Sequence, residues 1–285
     1  MGEHPEAVLI TGCSSGIGRA AAERLLAKGF RVYATARRPE TLTDLAARGC
    51  TTLALDVCDD DSMRAAVERV EADHGAVGAL VNNAGYGEYG PIEEVPVDRV
   101  REQLETNVIG PMRLAQLVLP AMRAQEQGRI VNIGSMGGRL TFPGGGWYHA
   151  TKHALEALSD AMRFEVAPFG IQVVLVQPGL IRTGFGDTAT GSLRDSGEAS
   201  GAYGALNAAV DAQMHGAYNG SMARLGGGPD AVAKVIATAV TTRRPRPRYK
   251  VTASARILMA TRRWTTDRMW DAILRRQFAV PKPSP

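Results

Sequence analysis

Two side chains in this sequence are spaced to move a proton together. Tyr148 and Lys152 lie four residues apart in a stretch of helical periodicity, so they share one helix face. A free tyrosine has a pKa of about 10 and is a poor base at neutral pH. An ammonium one turn away favours the phenolate and makes the phenol a usable acid and base. Ser135 follows the apolar run Arg129–Ile133, where a hydroxyl can hold a substrate oxygen. Asn107 falls within a long helical pattern that begins near Asp98. A polar side chain there can hold a water behind Lys152 and complete a proton path. Each has an ordinary reading by itself: a surface phenol, a solvated charge, a cap, a satisfied core amide. Together, at the expected ends of neighbouring strands, they point to acid–base chemistry on a carbon that bears oxygen.

A glycine-rich turn forms the second constellation. Thr11-Gly12-Cys13-Ser14-Ser15-Gly16-Ile17-Gly18 sits between the apolar run Ala7–Thr11 and the helical pattern Ile17–Lys28. Gly12 permits a tight turn, Gly16 removes a Cβ that would block a pyrophosphate, and Gly18 lets the helix pack close to the strand. The helix N-terminus offers unpaired N–H groups and partial positive charge to an anion. Gly12, Ser14, Ser15, Gly16, Ile17 and Gly18 are therefore expected to cradle the phosphates of a dinucleotide. The spacing is GxxxGxG rather than GxGxxG, so the strand–loop–helix context carries the reading. After the second strand, a carboxylate would chelate the ribose 2′-OH of NAD. Here Ala36 holds that place, followed by Arg37 and Arg38. No acid repels a 2′-phosphate and two guanidiniums can grip it. A charged hydrogen bond of this kind contributes about 1.5–3 kcal/mol, or one to two decades of preference. NADP is the expected cofactor.

These residues need a scaffold, and the apolar pattern describes one. Strand-length runs occur at Ala7–Thr11, Phe30–Ala36, Thr51–Val57, Ala79–Asn82, Arg129–Ile133 and Ile171–Gln177. Helical patterns at Ile17–Lys28, Asp60–His74, Asp98–Gln125 and Tyr148–Ala167 lie between them. The alternation predicts an α/β fold: a Rossmann-type doubly wound parallel sheet with helices on both faces. Right-handed crossovers place the strand C-terminal ends along one edge, where ligands bind. The 285 residues, with 45% hydrophobic and 22% charged content, fit a single domain over 1–285. Within it, 184–228 is expected to be a mobile substrate lid with a helix near Ala202–His215. Pro229–Thr241 reads as a helix with Pro at its start, and Arg248–Thr252 as a final edge strand. Net charge is +4, yet residues 241–285 carry twelve Lys or Arg against two Asp. This basic extension should contain two short helices.

With these residues in place, the chain resembles the short-chain dehydrogenase/reductase family. The matching motifs are TGCSSGIG (Thr11–Gly18), Asp56-Val57, NNAG (Asn82–Gly85), Asn107, Ser135, YHATK (Tyr148–Lys152) and PGLIRT (Pro178–Thr183). They span about two-thirds of the chain in the family's order. The resemblance implies that Asp56, next to Val57, contacts the adenine amine, and that Asn83, Ala84 and Gly85 line the adenosine side. Tyr148 would be the general acid/base. Lys152 would bind the nicotinamide ribose and lower the phenol pKa. Ser135 would orient the carbonyl, and Asn107 would hold a relay water. Pro178, Gly179, Ile181 and Thr183 would wrap the nicotinamide carboxamide. The detail VLITGCSSGIG, VYATARR and RYK is similar to the hydroxysteroid and retinol dehydrogenase branch, which implies bulky apolar alcohols and ketones. A homo-dimer or homo-tetramer through the long helices is the family expectation.

Other features narrow the field. Leu140, Phe142, Trp147, Phe185, Tyr203, Met214 and Tyr218 are candidate pocket walls. His149 is expected on a different helix face from Tyr148 and outside the chemistry. Cys13, Cys50 and Cys58 form no CxxC, and the five histidines form no metal spacing. No metal is expected, and the scattered thiols suggest a reducing, cytoplasmic location. No eighteen-residue apolar run predicts a membrane span. The opening Met1-Gly2-Glu3-His4-Pro5 has neither a signal pattern nor a myristoylation motif. The tail Ala255–Phe278 mixes arginines with Trp264, Met269 and Trp270. It reads either as two packed helices or as a weak contact with an anionic membrane surface. No nucleic-acid module is present. The expected partner is a small carbonyl or alcohol. A non-catalytic NADP sensor or scaffold on the same fold is the alternative.

Overall fold

In the computed structural model, residues 7–186, 191, 193 and 201–278 are described. The expected absence of N-terminal signals concerns residues outside this set, as does part of the expected lid. The elements follow as β1 (Ala7–Ile10), α1 (Gly16–Leu26), β2 (Arg31–Ala36), α2 (Thr43–Ala47), β3 (Thr51–Ala54), α3 (Asp60–His74) and β4 (Ala79–Asn82). Next come α4 (Val97–Leu104), α5 (Gly110–Ala124), β5 (Gly128–Ile133), α6 (Gly146–Val166) and β6 (Ile171–Pro178). The chain continues through α7 (Gly204–Asn219), α8 (Pro229–Thr241), β7 (Arg248–Val251), α9 (Ala253–Trp264) and α10 (Asp267–Gln277). The seven strands are all parallel, in the order β3-β2-β1-β4-β5-β6-β7. This is the doubly wound sheet the alternation predicts, with the chain reversing direction across the sheet between β1 and β4.

Strand periodicity divides the core in two. On β1, Val8 and Ile10 pack with Leu25 of α1 and Ile236 of α8 on one face. Ala7 and Leu9 pack with Val70 of α3, Leu114 of α5 and Met162 of α6 on the other. Both faces are therefore covered by helices, as near-continuous apolar strands require.

Two expected elements differ. The third strand ends at Ala54 rather than Val57, because Asp56 Oδ1 accepts the Cys58 N–H (3.0 Å) and bends the chain. The long helix expected over Asp98–Gln125 is two helices joined by a π turn, Glu105–Ile109. Pro111 has no N–H to offer the Asn107 carbonyl four residues back. Gly110 seats this joint, since a Cβ there would overlap the Val57 carbonyl.

The helix that carries Tyr148 and Lys152 is tied down by buried polar groups. Glu156 is 5% exposed. It accepts hydrogen bonds from Gln177 of β6 and Arg248 of β7, and pairs with Arg139 (2.8 Å). Asn132 of β5 donates to Ser159 (2.9 Å) and accepts from Asn82 of β4 (2.9 Å). His149 Nδ1 lies 3.0 Å from the Gly137 carbonyl; a carbonyl only accepts, so Nδ1 carries the proton.

Burial pushes the His149 imidazole down from 6.5 to about 4, so it stays neutral in the fold at mildly acid pH. The unfolded chain then binds a proton that the fold refuses. Its contribution to stability is complete above pH 6.5 and is lost as pH falls towards 4. The loss should be roughly 3 kcal/mol. Urea titrations across this range should show a shallower decline for His149→Asn; an unchanged slope would remove His149 as its source.

Candidate active site

The C-terminal strand ends converge where the sheet reverses direction. Thr11 Oγ1, just past β1, accepts the backbone N–H groups of Asn83 and Ala84 (2.9 Å each), just past β4. Asn83 Nδ2 returns hydrogen bonds to the Thr11 and Gly12 carbonyls (2.8 and 3.1 Å). This lock shapes the glycine turn. Gly12 and Gly16 have φ of +70° and +59°, values that a side chain makes costly. Gly18 is buried behind the turn, where a Cβ would overlap the Gly12 carbonyl. The N-cap of α1, Ser15, makes no side-chain cap bond, and the first helical turn has no acid. Its leading N–H groups suit an anion.

A cavity of about 1520 Å³ opens along these strand ends. Gly12, Ser14, Ser15, Gly16 and Ile17 line it, as do Ala36, Arg37, Asp56 and Val57. So do Asn83, Ala84, Gly85, Ser135, Tyr148, Lys152, Pro178, Gly179, Ile181 and Thr183. Its shape and chemistry suit a dinucleotide: a positive-φ turn at a helix N-terminus, a guanidinium beyond β2, and a wall of backbone and small side chains. Three candidates stand apart from the lining. Gly18 acts through packing. Arg38 is exposed and begins the turn into Pro39–Leu42. Asn107 is 1% exposed and lies behind the wall.

Ser135, Tyr148 and Lys152 meet on one side of the cavity. Ser135 Oγ caps the turn after β5 by accepting the Gly137 N–H (3.0 Å) and also hydrogen-bonds the Tyr148 phenol. Lys152 Nζ donates to the Ile133 carbonyl (3.0 Å) and lies 5.8 Å from the Tyr148 ring centroid. Burial lowers the Lys152 amine from 10.5 to about 8. Burial also pushes the Tyr148 phenol well above its ordinary range, and the Ser135 bond offsets only part of that. The expected depression of the phenol by Lys152 is thus not found in the protein alone. Desolvation outweighs an amine held by Ile133 rather than by the phenol oxygen.

The Asn107 amide is also engaged otherwise than expected. Its Nδ2 donates to the Tyr86 carbonyl (2.8 Å) and to Thr151 Oγ1 (3.2 Å), and its Oδ1 accepts the Tyr86 N–H (3.1 Å). The side chain braces the chain after β4 against α6. Pro111 denies the main-chain carbonyl of Asn107 its regular helical donor.

Of the expected pocket walls, Phe142, Phe185, Met214 and Tyr218 line the cavity. Leu140 instead packs with Ala255, Met259 and Trp270. Tyr203 turns outward and donates to Glu93 (2.6 Å), and Trp147 lies outside the lining. His149, set aside on helix geometry, does line the cavity, because the turn Met136–Gly138 and Phe142 fold over α6 at that point. Phe278, Tyr89 and Leu258 complete the apolar side. They come from remote segments and had no sequence signal. Thr11 had one, since it opens the glycine motif.

The profile of the short chain dehydrogenase family matches residues 6–192. The chain is 34% identical to a 3-ketodihydrosphingosine reductase of Bacteroides thetaiotaomicron, covering 97% of this chain and 99% of that protein. It is 34% identical to an NADPH-dependent 3-dehydrocapnine reductase of Ornithobacterium rhinotracheale, over 93% and 94%. It is 42% identical to human 17-beta-hydroxysteroid dehydrogenase type 1, over 65% and 60%. A solved short-chain dehydrogenase from Streptomyces avermitilis superposes with a TM-score of 0.79 at 35% identity, covering 97% and 96%. A shared profile over most of the sheet, a relative matched from end to end and a superposable fold leave one assignment: this chain belongs to the short-chain dehydrogenase family of oxidoreductases.

Proposed function

We propose that the protein interconverts an alcohol and a ketone or aldehyde with NADP as the redox partner, on a bulky apolar substrate. The observation that carries this reading is the meeting of Ser135, the Tyr148 phenol and the buried Lys152 amine on one wall of a cavity continuous with the glycine turn. Gly12, Ser14, Ser15, Gly16 and Ile17 would hold the phosphates, Asp56, Val57, Asn83, Ala84 and Gly85 the adenosine side, and Pro178, Gly179, Ile181 and Thr183 the carboxamide. When bound, NADPH supplies the hydride. Ala36 and Arg37 at the cavity favour the 2′-phosphate form, with Arg38 adding positive charge nearby. The NADPH dependence of the dehydrocapnine relative supports the same choice.

The protein's own work is orientation and proton supply. Ser135 holds the substrate oxygen against the phenol. Tyr148, protonated in the protein alone, can donate its proton to that oxygen as the carbonyl is reduced. Lys152 stands ready to stabilise the resulting phenolate. A water on the Asn107 carbonyl would return the proton. Phe142, Phe185, Met214, Tyr218 and Phe278 give the substrate side an apolar wall. Two relatives matched nearly from end to end are named as reductases of 3-ketodihydrosphingosine and of 3-dehydrocapnine, which adds a sphingoid-like ketone to the steroid and retinoid candidates. A sensor or scaffold would have no use for the Ser135–Tyr148–Lys152 arrangement.

Tyr148→Phe should keep NADPH affinity, read by cofactor fluorescence, and lower turnover by roughly 10²–10⁴; retained turnover would remove the phenol from the mechanism. Wild-type protein should bind NADPH more tightly than NADH. The double change Arg37→Glu and Arg38→Glu should narrow that gap by roughly one to two decades. Equal wild-type affinities would contradict the assignment of the two arginines. An NADPH-oxidation screen over long-chain amino ketones, steroids, retinoids and short aldehydes tests substrate class; activity confined to the short aldehydes would overturn the apolar reading.

A further inference from the structure

The helix that closes one side of the cavity has a second face that the proposed chemistry does not use. α9 turns Leu258 to the cavity and buries Ala255 and Met259 against Leu140 and Trp270. Ala253, Arg256, Ile257, Ala260, Arg263 and Trp264 are all exposed. At 3.6 residues per turn they form one continuous stripe about 120° wide. Trp264 is 81% exposed and Ile257 50%. The Arg263 guanidinium lies 5.8 Å from the centroid of the Trp264 ring. α10 adds Met269, 54% exposed, next to Arg268. Over the two helices six arginines face two aspartates, and Asp267 is already paired with Arg262 (2.6 Å).

Charge decides what can cover such a face. A two-fold contact with a second copy would set Arg256 and Arg263 against the same basic stripe. A nucleic acid matches the charge but gains little from Ile257 and Met269. An anionic lipid surface satisfies both chemistries: headgroup phosphates for the guanidiniums, and the acyl boundary for an indole and two aliphatic side chains. We infer that α9 and α10 form an interfacial patch that seats the protein on an anionic bilayer. The patch is the outer side of a helix whose inner residue, Leu258, lines the cavity. The seat therefore brings a membrane-dissolved apolar substrate beside the site. Surface binding is read without turnover, so it stands or falls separately from the proposed reaction.

The test uses the full chain with phosphatidylcholine vesicles, with and without phosphatidylglycerol, read by sedimentation and tryptophan emission. Protein should sediment with the anionic vesicles only, less so at high salt, with a blue shift that is lost in Trp264→Ser; Trp270 is already buried and Trp147 half-buried. The pairs Ile257→Ser with Trp264→Ser, and Arg256→Gln with Arg263→Gln, should each weaken partition by roughly tenfold or more. Circular dichroism and turnover of a soluble substrate should not change. No partition, or equal partition onto pure phosphatidylcholine, would overturn the proposal. So would a loss of oligomer in the Ile257/Trp264 pair, or displacement of the protein from anionic vesicles by an oligonucleotide at matched phosphate.

Discussion

A lysine amine buried below a phenol is the placement on which this structure turns. Both groups are largely buried, and each departs from its solution behaviour in the direction burial dictates: the amine down to about 8, the phenol upward. Neither shift would arise on a solvated helix. Each needs the α6 face pressed against the end of β5, where the Ile133 carbonyl holds the amine and Ser135 holds the phenol. The buried polar groups of α6 serve that pressing. Glu156 ties it to β6 and β7, Ser159 ties it through Asn132 to β4, and His149 ties it to the turn after β5. Their partners come from separate strands, so the helix cannot rotate without leaving polar groups unpaired in the core.

The other half of the site depends on the reversal between β1 and β4. Two strand ends diverge there, and a crevice opens between the loops that leave them. The Thr11 hydroxyl and the Asn83 amide bridge it and hold the glycine turn in a conformation that its positive φ values demand. The π turn at Asn107 belongs to the same economy of backbone groups. Proline at 111 removes a donor, and the helix shifts register at that point.

On the substrate side the wall is apolar and assembled late in the chain. Tyr89 and Phe142 come from loops, Met214 and Tyr218 from α7, and Phe278 from the end of α10. Ser135 and Tyr148 supply hydroxyls to this wall, and Gln213 and Gln277 add polar groups beside Met214 and Phe278.

By itself the sequence determined the sheet and the chemistry of the strand ends. Periodicity in β1 and β6 is fixed by burial on both faces, and the glycine turn, Tyr148 and Lys152 sit at short, local spacings that local geometry converts into position. It also showed the missing acid at Ala36, because that reading needs only the residue that ends a strand. Tertiary structure alone decided the rest. Whether a phenol titrates low or high depends on solvent exclusion by residues far away in the chain. Whether the Asn107 amide is free or engaged depends on how Tyr86 and Thr151 surround it. His149 reached the cavity, and Tyr203 left it, through contacts with segments that no helical wheel contains. Spacing along a chain specifies which groups can share a face, whereas desolvation and partner choice are properties of everything packed against that face.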